Sequence, residues 1–314
     1  MELSLLLLEQ ILAMMLMVLS GFILAKCGLL NSEESRIVSR VVIYILTPAI
    51  LLDGFQTPLE RNKLEGLAAA LLAAILIYLV FLGCARLMRR GRWPLTEGEE
   101  ASIVYSNSGN LIVPIVLNTL GSEYVIYSCA YLLVQNVVTW THGQVLLGGE
   151  KNLTVKKVLT NPCITAIYTG LILFLCNIQL PGPLGGAVSS LGNCLGPISM
   201  VLIGVMLAEV DFKKAFSSLP IYRTIALRLV VYPLLAIAIL WGVGRIWWGP
   251  GDVSGALMVM VLCASGPAAT TLTQMAQLYS HPESGYMSSI NAVSTVLSSI
   301  TMPVMLFLYQ ALVG

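Results

Sequence analysis

Ten apolar runs of about twenty residues follow one another along the chain, and this pattern constrains the fold more than any other feature. The composition agrees, because 57% of the residues are hydrophobic and 11% are charged, against about 25% charged in soluble domains. The sequence therefore predicts an all-α integral membrane protein with ten transmembrane helices in a lipid bilayer. The runs lie near residues 3–26, 36–54, 64–87, 101–119, 123–147, 161–179, 189–209, 219–246, 254–278 and 286–312.

Basic residues between the runs predict the orientation. The odd-numbered loops hold thirteen of them, namely Lys26, Arg36, Arg40, Arg86, Arg89, Arg90, Arg92, Lys151, Lys156, Lys157, Lys213, Lys214 and Arg223. The even-numbered loops hold three, namely Arg61, Lys63 and Arg245. By the positive-inside rule the odd loops are cytoplasmic, so both termini are expected outside the cell membrane. The net charge of +1 gives no reason to expect a nucleic-acid partner.

Two of the apolar runs are interrupted by polar residues, glycine and proline. The first break spans residues 105–114 and the second spans residues 263–271. Pro114 has no N–H and its ring would collide with the carbonyl of Asn110, so a continuous helix would leave backbone groups unpaired. Two interrupted segments at corresponding places in two halves are typical of the substrate site of an inverted-repeat transporter.

The spacing of several landmarks indicates an internal repeat. The separation between Gly21 and Pro48 is 27 residues, and the separation between Gly170 and Pro197 is the same. The pair Ser108–Gly109 then matches Ser265–Gly266 at an offset of 157, against 149 for the earlier pair. Each match alone is also expected by chance, because Gly and Pro are frequent in membrane helices. Together they predict inverted repeats of five helices each, over residues 1–149 and 150–314.

Several motifs, in order along the whole chain, carry a resemblance to a known family. They are Gly21-Phe-Ile-Leu, Tyr44-Ile-Leu-Thr-Pro48, Ser106-Asn107-Ser108-Gly109 with Pro114, Leu159-Thr-Asn161-Pro162, Gly204-Val-Met-Leu207, Pro267-Ala-Ala with Ala276-Gln-Leu-Tyr279, and Ser294-Thr295 with Pro303. On these residues the chain resembles bacterial members of the auxin efflux carrier family. Their superfamily also holds bile-acid, arsenite and riboflavin transporters.

The resemblance implies a fold and a class of substrate. Spans 4 and 9 would be broken and would cross at the bilayer midplane. Spans 1, 2, 6 and 7 would form a scaffold, which is also the surface of a homodimer, and spans 3–5 and 8–10 would form a moving transport domain. Substrates of the family are small organic anions such as auxin, malate and malonate. Three residues at the crossover, Asn110, Ile112 and Thr271, differ from the common family pattern.

The chemistry of the two breaks suits an organic anion. A half-helix that begins after a break directs N–H groups and about half a positive charge toward the crossover. The predicted substrate contacts are Asn107, Ser108, Gly109, Asn110, Ser265, Gly266, Thr270 and Thr271, with Pro114 and Pro267 marking the crossover itself. The alternative is that these residues only hold the helices together.

Ionisable residues inside the runs are candidates for ion coupling. Glu9 lies within the first run and could carry a proton, or its carboxylate could reach the outer interface. Arg228 lies within the eighth run, and we expect its long side chain to extend to the membrane surface. Sodium coupling is the alternative that the bile-acid relatives imply. The cysteines and the two histidines form no ligand-spaced cluster, so no metal and no cofactor are predicted.

These observations favour a secondary transporter that moves a small organic anion across the cell membrane by alternating access. A passive channel and a sodium-coupled symporter of the bile-acid type remain alternatives. A membrane enzyme would need paired aspartates or a Ser/His set within the spans, and only Asp53 and His142 come near such an arrangement.

Overall fold

The computed structural model describes residues 2–149, 160–208, 210, 219–247 and 253–313. Within these ranges the chain is helical, and its extended segments form a single isolated bridge instead of a sheet. Some residues of the predicted topology, namely Lys151, Lys156, Lys157, Lys213, Lys214 and Gly314, lie outside the described residues.

Sixteen α-helices make up the described part of the chain. In order they are α1 (Glu2–Lys26), α2 (Ser32–Val41), α3 (Thr47–Asp53), α4 (Arg61–Arg89), α5 (Glu97–Val104), α6 (Val113–Thr119), α7 (Val125–Val138), α8 (Gln144–Gly148), α9 (Pro162–Leu175), α10 (Gly182–Asn193), α11 (Leu195–Ala208), α12 (Leu219–Ala226), α13 (Tyr232–Ile246), α14 (Val253–Ser265), α15 (Thr270–Leu278) and α16 (Ser284–Val313). Four π-helical turns join neighbouring helices, at Val42–Leu46, Ser108–Ile112, Thr139–Gly143 and Leu227–Val231.

Several of these helices are long and apolar enough to cross a membrane. Five described stretches are long and apolar enough, namely Glu9–Lys26, Arg61–Arg89, Gly182–Ala208, Pro220–Ile246 and Ser284–Leu312. Three shorter apolar stretches accompany them, at Ser108–Thr119, Pro162–Leu175 and Val253–Ser265. The prediction of an all-α, multi-pass membrane protein is confirmed at this level.

Proline shapes the helices through wider turns. Pro48, Pro114 and Pro233 each stand two residues after a π-helical turn. In the first two of these turns the N–H of Thr47 bonds to the carbonyl of Val42, and the N–H of Val113 bonds to the carbonyl of Ser108. The backbone thus accommodates the missing proline donor by a local bulge, a feature that is frequent at functional sites.

Two groups of helices pack in different ways. α1 crosses α11 at its glycines: a Cβ on Gly21 would lie 2.0 Å from the carbonyl oxygen of Val201, so the two backbones touch. α3 packs against α9 and α10 beside this crossing. α4 instead packs against α7, α13 and α14 through a face of buried alanines, including Ala70 and Ala74. α7 also contacts α3 and α9, which joins the two groups.

Candidate functional site

The two predicted breaks meet in the structure. α5 ends at Val104 and α14 ends at Ser265, and the chain is extended after each. The N–H of Asn107 donates to the carbonyl of Pro267 at 2.9 Å, and the N–H of Ala269 donates to the carbonyl of Tyr105 at 3.0 Å. These bonds form an antiparallel bridge centred on Ser106 and Ala268. The bridge pairs backbone groups that would otherwise be unpaired at this depth.

Neighbouring helices hold the bridge from both sides. In α7, the amide nitrogen of Gln135 donates to the carbonyl of Ser106 at 2.7 Å, and its amide oxygen accepts from the Ser106 hydroxyl at 3.2 Å. In α16, Asn291 donates to the carbonyl of Ala268 at 2.6 Å, and the Ser294 hydroxyl accepts from the N–H of Ala268 at 3.1 Å. Asn291 and Ser294 of the tenth run therefore support the crossover structurally.

The expected position of Arg228 is wrong. Its side chain does not extend to the surface but is 0% exposed beside the crossover. The guanidinium donates to the backbone carbonyls of Ile103 at 3.0 Å, Ala264 at 2.9 Å and Gly266 at 2.9 Å. Ile103 and Ala264 lie in the last turns of α5 and α14, where backbone carbonyls lack partners within their own helix. Arg228 therefore terminates both half-helices.

A cavity of about 550 Å³ borders the opposite side of the bridge. Its lining comes from the second, fourth, fifth, sixth, seventh and ninth runs, and none of the described lining residues carries a formal charge. Neutral polar side chains are abundant in it, including Thr47, Asn107, Asn110, Gln135, Asn161, Ser199, Thr270, Thr271 and Gln274. The volume falls within the range of about 300–1,000 Å³ that is usual for small-molecule sites.

The predicted substrate residues divide into two sets. Asn107, Gly109, Asn110, Thr270 and Thr271 line the cavity. The others lie behind it: Ser108 donates to the carbonyl of Cys263 at 3.3 Å, Ser265 and Pro114 are buried, and Gly266 and Pro267 contribute the carbonyls described above. This second set is enclosed in the crossover and is out of contact with the cavity.

Two residues of the cavity lining have unpartnered polar groups. Among the described residues, the buried amide nitrogen of Asn107 and the buried hydroxyl of Thr270 have no hydrogen-bond partner, and both residues are 3% exposed. Asn107 does not belong to a helical turn. Its φ of −79° and ψ of 52° are neither helical nor extended, and the residue connects the extended segment to the π-helical turn that begins at Ser108.

Three helix beginnings contribute to the same cavity. Gly109 and Asn110 belong to the π-helical turn that leads into α6, Thr270 begins α15, and Pro162 begins α9. The N–H groups of the first turn of a helix have no partners within the helix and carry partial positive charge. The start of α9 is capped, since the Asn161 side chain accepts from the N–H of Cys163 at 2.9 Å. No side chain of the described residues caps the other two starts.

The remaining candidate, Glu9, is distant from this arrangement. Its side chain is exposed on α1, and it does not line the cavity. Three other titratable side chains contact one another at the crossover, namely Tyr105, His142 and Glu100. The Tyr105 hydroxyl is 2.9 Å from Nδ1 of His142, whose Nε2 lies 3.3 Å from a carboxylate oxygen of Glu100. The role of Glu9 in coupling stays a prediction.

Sequence reasoning missed Gln135 and Arg228 as parts of the crossover. Gln135 lies in the interior of the fifth run, eight residues from the nearest glycine, and Arg228 lies in the interior of the eighth run, five residues before Pro233. A usable signal existed for Arg228, because an arginine at that depth requires acceptors and the two breaks expose carbonyls.

Comparisons with known proteins agree with the geometry. A family described as membrane transport protein matches residues 6–156 and 150–306. A relative from Methanothermobacter thermautotrophicus, described as an uncharacterized transporter, is 26% identical over 304 residues, which cover 94% of this chain and 96% of the relative. The chain therefore belongs to the membrane transport protein family, which confirms the predicted kinship with the auxin efflux carriers and identifies a multi-pass membrane transporter rather than an enzyme.

Proposed function

We propose that this transporter is a secondary carrier that moves a small organic anion, such as a carboxylate, across the cell membrane by alternating access. The observation that carries the proposal is the uncharged cavity at the crossover, which Asn107 and Thr270 line and where each has a buried polar atom without a partner among the described residues. Buried polar groups of a native protein normally have hydrogen-bond partners. A bound ligand would supply the partners that these two groups lack.

The electrostatics of the cavity favour an anion over a cation. Each of the two uncapped helix starts contributes roughly half a positive elementary charge. No carboxylate side chain among the described lining residues opposes that potential. A carboxylate that accepts from Asn107 and from the N–H groups near Thr270 would gain about 1.5–3 kcal/mol per bond. The neutral walls hold the anion by hydrogen bonds, which leaves it free to dissociate on the other side.

The architecture we infer is a 5+5 inverted repeat, with residues 1–149 and 150–314 as its halves. The paired breaks after α5 and α14 support it, because each half then contributes one interrupted helix to the crossover. Spans 1, 2, 6 and 7 form the scaffold and the homodimer surface, and spans 3–5 and 8–10 form the moving domain. The close crossing of α1 on α11 and the separate packing of α4 with α7, α13 and α14 support this division.

The orientation follows from the basic loops, with both termini outside. Ser39, Asn161, Met206 and Tyr279 line the cavity and lie near the odd-numbered loops, so the cavity faces the cytoplasm. In a background without native cysteines, a cysteine at Gly314 should react with an impermeant thiol reagent in intact cells, and a cysteine at Arg90 should be protected. The reverse labelling pattern would contradict this topology.

Counterflow separates the carrier from the passive channel. Purified protein in vesicles loaded with an unlabelled dicarboxylate, such as malonate or malate, should transiently accumulate the labelled acid from outside, with saturable kinetics. A channel dissipates the gradient without this overshoot. The sodium-coupled symporter is separated by repeating the assay in choline medium. If no acid of a broad carboxylate panel shows counterflow, the proposal of an organic-anion carrier is wrong.

A further inference from the structure

On the side of the crossover away from the cavity, three backbone carbonyls form a site for a cation. The guanidinium of Arg228 occupies this site. The carbonyls of Ile103, Ala264 and Gly266 converge on the guanidinium of Arg228 at 2.9–3.0 Å. The side chain is 0% exposed, and within the described ranges no carboxylate forms an ion pair with it. The hydrogen bonds of this buried cation to described residues all go to backbone carbonyls.

Such a group of carbonyls is the kind of site that a free monovalent cation occupies. In carriers with broken helices, unwound carbonyls and the C-terminal ends of half-helices coordinate Na⁺ or H⁺. Here two of the three acceptors are at the C-terminal ends of α5 and α14, where the helix dipoles concentrate partial negative charge. The third, the carbonyl of Gly266, belongs to the extended segment itself. A guanidinium stays protonated in proteins, so this cation is permanent.

We propose that Arg228 is a tethered counter-cation: it occupies the carbonyl site at the crossover in place of a dissociable cation, so that the carrier binds its anion without sodium. This inference rests on the proposed function as an anion carrier. It assigns the choice between sodium-coupled and sodium-independent binding to one residue. The covalent tether means that the positive charge moves with the crossover and does not have to be recruited from solution in each cycle.

The unmodified protein provides the first test. Its melting temperature should be the same in sodium chloride as in choline chloride of equal ionic strength, because the site that sodium would occupy is filled. Substrate counterflow with malonate should likewise be equal in the two media. A saturable increase of melting temperature that is specific to sodium would overturn the inference.

Chemical rescue is the second test. Arg228→Ala leaves a space that a free guanidinium ion can enter and three carbonyls without donors. We expect its melting temperature to fall by at least about 5 °C and to recover in a saturable manner with millimolar guanidinium chloride. Choline chloride at equal concentration should not restore it, and neither the parent nor Asn107→Ala should respond. Absence of any guanidinium-specific recovery would overturn the inference.

A conservative variant covers the case in which Arg228→Ala does not fold. Arg228→Lys keeps the charge but has three donors on one atom instead of a planar fork. It should fold, melt below the parent and remain indifferent to sodium, whereas stabilisation by sodium would contradict a filled site. These melting measurements need no substrate. Failure of counterflow in both media would therefore count against the proposed carrier function and leave the result on Arg228 intact.

Discussion

Backbone carbonyls on one side of the crossover and side-chain groups on the other differ in how they are paired. On the side of Arg228, the carbonyls of Ile103, Ala264 and Gly266 are bound by one buried guanidinium. On the side of the cavity, the amide nitrogen of Asn107 and the hydroxyl of Thr270 are buried and have no partner among the described residues. Both sides arise from the same two interruptions, so the contrast lies in what the surrounding helices supply.

The paired groups at the crossover stabilise the structure, whereas the unpaired groups are available for function. Unpaired polar groups cost free energy, and a protein retains them where a ligand completes the pairing. Arg228 holds the ends of the two half-helices, and Gln135 and Asn291 hold the bridge between them. The unpaired side then presents its donors from a rigid support, as a binding site requires. Mutations on the two sides should therefore affect different quantities.

The largest effect on stability is expected for Arg228→Gln. The shorter amide removes the buried charge and most of the donors to three carbonyls. Breaking a buried charged arrangement typically costs about 3–5 kcal/mol. Thermal unfolding in detergent should show a strongly lowered melting temperature. A variant as stable as the parent would remove the distinction between the two sides.

A smaller loss of stability is expected for Gln135→Leu. This change deletes both bonds to Ser106 and leaves a buried backbone carbonyl unpaired, at a cost of about 1–3 kcal/mol. The adjacent Asn136→Leu is the matched control, because Asn136 donates to the carbonyl of Leu132 in its own helix. The control should lower the melting temperature less. Equal losses at the two positions would argue that α7 does not hold the bridge.

No loss of stability is expected for Glu9→Gln, whose side chain is exposed on α1. If Glu9 carries a coupled proton, the variant should lose accumulation driven by a pH gradient and keep exchange. Glu123→Gln serves as the control, since Glu123 also lies outside the cavity lining. Accumulation equal to that of the parent would refute the role of Glu9.

The breaks could be predicted from the sequence, but their environment could not. Pro114, Pro267 and the adjoining glycines interrupt helices by local chemistry, which acts within a few residues. The position of Arg228 depends on carbonyls more than a hundred residues away at Ile103 and some forty residues away at Gly266. Its distance from the end of its own run suggested a surface position, because sequence distance carries no information on such tertiary partners.

The same limit applies to the predicted contacts. Ser108 lies between two cavity residues in sequence and Ser265 lies five residues before Thr270, yet neither lines the cavity. Thr270 and Asn107 face it because the chain is extended just before them. A helical projection of residues 105–114 assumes regular geometry, and the extended segment and the π-helical turn both depart from it.

Binding of a carboxylate to purified variants tests the central claim most directly. A ligand identified from a carboxylate panel by thermal shift should bind Asn107→Ala and Thr270→Val about ten- to a hundred-fold more weakly than the parent. The melting temperatures of the two variants without ligand should stay close to that of the parent. Ser298→Ala is the control, since Ser298 is buried but bonds to Thr295 in its own helix. Unchanged affinity in both crossover variants would contradict a substrate site at this cavity.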